Sequence, residues 1–178
     1  MQHAMRQESL YRLFHRLVNR SFSDLQTGDE ALKGYVIDLL VRFARTDALY
    51  ELEDPTGRQV DTVVGMLIEA DRLSGVNANE TFRVLRHTGD YALFMSGIFR
   101  AYVERHGFLE WYMVEGPRSY RRASSVADGE ADREILVRMR RDFEQISGAL
   151  DYMRKVYFGQ VALRKGLDDL VRRFDLWN

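Results

Sequence analysis

The sequence predicts an all-α protein, and three observations carry that prediction. Apolar residues recur at three- and four-residue steps in seven successive stretches, the spacing of one face of a helix. No stretch alternates apolar and polar residues as a half-buried strand would. Only two prolines, Pro55 and Pro117, interrupt 178 residues, so long helices are allowed almost everywhere. The expected architecture is a single domain over 1–178, a bundle of about seven helices with the fourth and fifth forming a central hairpin. The length suits one domain, and no repeat, low-complexity tract or domain boundary is visible.

The elements follow in order. Leu10, Leu13, Phe14, Leu17 and Val18 predict a first helix over 4–21. Thr27 followed by Glu30 reads as a capping box before a second helix over 29–46. Its stripe of Leu32, Tyr35, Val36, Leu39, Leu40 and Phe43 is widened by Ile37 and Val41, which suggests burial on more than one side. Residues 47–57 are ambiguous between helix and extended chain and end in the turn Asp54-Pro55-Thr56-Gly57. A third helix is expected over 58–73, stopped by Ser74-Gly75. Asn77 with Glu80, or Asn79, can cap a fourth helix over 79–105. Gly89 and Gly97 inside it would let another helix approach closely, at a cost of about 1 kcal/mol each against alanine.

Gly107 ends or kinks that helix, and a fifth begins near 108, with a kink expected around 113–117 from Pro117. A sixth starts near 130. Leu136, Met139, Phe143, Ile146, Leu150, Met153 and Tyr157 alternate steps of three and four, a coiled-coil-like seam. A seventh is expected over 160–175.

Composition removes several chemistries. There is no cysteine, hence no disulfide, thiolate metal site, iron–sulfur cluster or cysteine nucleophile. The net charge of −1 gives no global pull toward nucleic acid or an anionic membrane. No uncharged apolar run approaches the ~20 residues needed to span a bilayer. The first residues carry scattered charge rather than a secretory core, so the cytoplasm is the default location. Phosphate-loop, dinucleotide, serine-elbow and His-Glu-x-x-His motifs are absent, and no histidine sits in a Glu-x-x-His pair. No cofactor is expected, and no metal ligand set is assigned.

The polar residues worth singling out fall within 83–125. His87 and Asp90 are three apart on one predicted helix, where a carboxylate could orient an imidazole for acid/base work. Glu115, Arg118, Ser119 and Tyr120 flank the predicted kink. Together the six form a candidate polar pocket between the fourth and fifth helices. The plainer reading of the same residues is a buried network that fixes helix register. Arg83, Arg86, Arg118, Arg121 and Arg122 could gather into a basic patch, but acidic residues balance them and a solvated face is the expectation.

The blocks HTGDYALFMSGIF (87–99) and YMVEGPRSYRRAS (112–124) resemble a family of bacterial all-helical proteins with no assigned activity. The resemblance covers mainly the central third and implies a bacterial origin and a helical fold. It transfers no catalytic residue. Pro117 departs from it by falling where a helix should continue.

The functional expectation is a non-enzymatic interaction or scaffold protein that pairs as a homodimer, with other protein partners allowed and neither nucleic acid nor membrane expected. The alternative is a small-ligand or metal-dependent enzyme that uses the polar pocket. That alternative requires His87 and Asp90 to meet Glu115, Ser119 or Tyr120 across the hairpin.

Overall fold

The structure is a computed structural model that describes residues 2–44, 48 and 51–157, with side chains from residue 10 onward. Eight helices occur among the described residues, and no strand does. They are α1 (Gln2–Asp24), α2 (Glu30–Phe43), α3 (Val63–Leu73), α4 (Ala78–Gly97), α5 (Arg100–Arg105), α6 (Leu109–Val126), α7 (Glu130–Arg141) and α8 (Phe143–Tyr157). The protein is all-α. The seventh predicted helix, over 160–175, lies outside the described residues.

The central element is α4. It buries Thr81, Val84 and Leu85, then every residue from His87 through Gly97. A helix buried on all sides must be wrapped by others. Its most extensive contact is with α6, and α3 and α8 pack against it from other directions. The close approaches run through missing side chains. A Cβ on Gly89 would lie 2.7 Å from the Tyr120 ring, and one on Gly97 would lie 2.6 Å from Leu150 Cβ. One connected apolar core draws on all eight helices.

Several boundaries differ from the sequence expectation, each for a local reason. Asp29, rather than Thr27, caps α2: its carboxylate accepts from the Ala31 and Leu32 amides at 3.1 Å. The third helix starts at Val63 instead of 58, because residues 58–60 are the return arm of a tight turn. Val60 N–H donates to the Leu52 carbonyl at 2.8 Å, Glu53 pairs with Gln59, and Asp54 Oδ1 accepts from the amides of Thr56 and Arg58. Thr62 then caps α3 through the Gly65 amide at 3.1 Å.

The long fourth helix is two. Phe99, at φ −103° and ψ 25°, breaks it, and both Ile98 and Phe99 turn into the core. Gly107 closes α5 at φ 73°, with the Phe108 amide donating to Val103 and the Gly107 amide to Glu104, a Schellman cap.

Pro117 does not end α6, which runs through it. A residue before proline resists helical geometry because its Cβ meets the proline ring, and here that residue is Gly116. The same missing Cβ admits the Phe143 ring, whose Cζ lies 2.3 Å from where a Cβ would stand.

The long seam also divides, at Asp142. Its seven apolar residues are all buried. Its two halves serve different neighbours, α7 lying on α6 and α2, and α8 on α4 and α1.

Candidate functional site

The polar heart of the fold is Asp90, whose side chain is fully buried on α4. Its Oδ1 accepts hydrogen bonds from Tyr35 of α2 at 2.6 Å and from Tyr120 of α6 at 2.7 Å. Its Oδ2 accepts from the Arg42 guanidinium, and Arg86 Nε stands 3.9 Å away. Arg86 also donates to the Tyr35 hydroxyl at 3.2 Å and covers the Tyr35 ring at 5.1 Å. One carboxylate therefore ties together α2, α4 and α6.

The spacing explains the arrangement. Tyr35 and Arg42 are seven apart, two turns of α2, and so share a face. Arg86 and Asp90 are four apart on α4. Gly89, beside Asp90, lets the Tyr120 ring lie flush against α4 so that its hydroxyl reaches the carboxylate. Burial raises the Tyr120 and Tyr35 phenols well above their ordinary value, and the neighbouring Asp90 charge raises them further. An ionised phenol would be deprived of water and set against a carboxylate.

The six residues singled out in the sequence separate into two pairs and two single residues. Asp90 and Tyr120 come together directly. Glu115 and Arg118 pair with each other at 2.6 Å, and the Ser119 hydroxyl is buried without a hydrogen-bond partner. His87 takes a different direction. It is 3% exposed, packs edge-on against Phe43 with ring centroids 5.4 Å apart, and places Nδ1 3.1 Å from Glu51 Oε1. That distance is within ion-pair reach when the imidazole is protonated, and neither ring nitrogen meets the full geometry of a hydrogen bond among the described residues. The His87 imidazole lowers the Glu51 carboxyl from its ordinary value, against the opposing effect of burial, with Arg42 and Arg83 assisting.

Sequence reasoning missed Tyr35, Arg42 and Glu51. In the sequence Tyr35 falls within an apolar stripe. The available signal was Arg42, a charge two turns along from it on the same face. Glu51 lay in the ambiguous stretch and carried no pattern.

The other features are less focused. Four of the five arginines considered as a basic patch have acidic neighbours: Arg83 with Glu80, Arg86 with Asp90, Arg118 with Glu115 and Arg122 with Asp71. An open groove of about 440 Å³ runs between the α1–α2 turn and α8, bordered by Leu25, Thr27, Gln145 and Tyr152. It shares no residue with the Asp90 cluster. Among the described residues, no three His, Asp or Glu side chains gather as a metal site, and no helix is long and apolar enough to cross a membrane.

No protein-family model matches the chain, and no curated protein or solved structure is significantly similar to it.

Proposed function

We propose that the protein is a non-enzymatic interaction or scaffold protein of the bacterial cytoplasm that pairs as a homodimer. The observation that supports this reading is the engagement of Asp90 by the chain itself. Both carboxylate oxygens are engaged by groups of the chain itself, two phenols on one and a guanidinium on the other. An acid/base or ligand-binding carboxylate needs an open coordination position or a path to substrate. A carboxylate spent on three helices acts as a clamp, and a clamped frame suits a protein that presents surfaces. Light scattering across a concentration series tests the pairing. A mass near twice 20.8 kDa is expected at high concentration. A monomer at every concentration sinks it.

The alternative, a small-ligand or metal-dependent enzyme, draws no support from the shared pocket it called for, because His87 stands against Glu51 and Phe43 rather than in the Asp90 cluster; what favours it is His87 itself, a buried imidazole beside a carboxylate. Zinc or manganese titration followed by the His87 ring resonances tests it. Resonances that do not move under either ion remove the metal-dependent form of that reading.

A further inference from the structure

We infer that the groove between the α1–α2 turn and α8 seats the chain's own C-terminal segment, residues 160–175, folded back antiparallel along α8. That segment lies outside the described residues, and its apolar stripe is Leu163, Leu167, Leu170, Val171 and Phe174. The α8 residues that border the groove, Gln145, Gly148, Ala149 and Tyr152, recur at helical spacing and share one face. Val156 continues that face one turn further and is 47% exposed. Leu25 borders the groove from the α1–α2 turn and is 44% exposed. At Gly148 the floor is open, since a Cβ there would meet nothing within 4 Å. None of the described residues that line the groove is charged. An uncharged face with half-exposed apolar residues suits the apolar stripe of a helix.

The connection of the chain says what fills it. The Tyr157 and Tyr152 hydroxyls both donate to Asp24 Oδ2, at 2.7 and 3.2 Å, and the Arg20 guanidinium covers the Tyr157 ring at 5.0 Å. Asp24 directly precedes Leu25, so the last turn of α8 is held at the edge of the groove. Gly159 follows two residues later, the residue type that admits the left-handed conformation in which helices stop and reverse. The lengths also agree. Gln145 and Val156 stand eleven residues apart, as do Leu163 and Phe174, about 16 Å for each as a helix. Laid antiparallel, Leu163 comes against Val156, Leu167 covers the open floor between Tyr152 and Gly148, and Val171 reaches Gln145. A second copy could offer the same stripe. A segment joined to the groove by a few residues, however, has an effective concentration of the order of millimolar, so the chain's own segment fills it first. The contact is internal to one chain and independent of pairing.

The test uses the lack of native cysteine. In the full chain at low concentration, Gln145→Cys with Val171→Cys should be bridged within one chain by a short bismaleimide. Val76→Cys with Val171→Cys should not, because Val76 lies beyond the far end of α4 from the Gly97 contact with α8. Bridging between two chains would mean that a second copy supplies the segment, and no bridging would leave the groove without it; either result overturns the inference. Limited trypsin digestion gives a second readout. Leu167→Asp should be cleaved at Lys165 and Arg172 about tenfold faster or more than wild type, as the undocked population grows. Gly148→Phe, which fills the open floor from the α8 side, should accelerate the same cleavages. Rates equal to wild type in both variants contradict the docking.

Discussion

A methyl group added at Gly97 would stand 2.6 Å from Leu150 Cβ, an atom that cannot move without α8. Gly34, inside α2, has nothing within 4 Å of the same construction. Gly97→Ala should therefore destabilise the protein by about 1–3 kcal/mol through overpacking. Gly34→Ala should stabilise it by about 0.5–1 kcal/mol through helix propensity. Urea unfolding of the two variants checks both signs. The tyrosines on Asp90 make a pH prediction. Their phenols hold their protons in the folded state well above 10.0, whereas unfolded phenols release them near that value. In that window the folded state binds more protons, so their contribution is complete below about pH 10 and is lost as pH rises further. Tyr120→Phe should be less stable at neutral pH, yet lose less stability between pH 9 and 11. Equal alkaline slopes for variant and wild type would contradict the burial argument.

At the scale of elements, the sequence was informative wherever a local pattern had a local cause. Asn77 caps α4 as its spacing suggested, accepting from the Glu80 amide at 3.1 Å. The seam from Leu136 to Tyr157 is buried throughout. Several of the shifted boundaries also carry a tertiary demand. Thr27 had a capping-box pattern, but Asp29 caps α2 and also meets Arg138 of α7, a partner 109 residues away that no local pattern signals. The breaks at Phe99 and Asp142 redirect helices toward different neighbours, again a demand of packing. The double role of Asp29 yields a comparison. Asn77→Ala removes a cap alone and should cost about 1 kcal/mol. Asp29→Ala removes a cap and an interhelical contact and should cost more, as a larger drop in melting temperature would show.

Over the whole molecule, the candidate site was half legible. The pairing of Asp90 with Tyr120 followed from two helical patterns facing each other. The contributions of Tyr35 and Arg42 did not, because they come from a helix 48 or more residues earlier whose stripe looked purely apolar. Those missing partners change the meaning of the cluster from an open pocket to a clamp that joins α2, α4 and α6. A clamp of this kind resists removal of one partner far more than it contributes as a pair. Asp90→Asn should cost about 3–5 kcal/mol, since it leaves Arg42 and Arg86 without their counter-charge. The cost of Arg42→Met should be smaller, because that side chain is 34% exposed and water screens part of the loss. The most direct test is the double-mutant cycle of these two substitutions, read by urea unfolding. If Asp90 is the clamp, the double variant is little worse than Asp90→Asn alone, with a coupling of about 1–3 kcal/mol. Costs that simply add, to within about 0.5 kcal/mol, would contradict it.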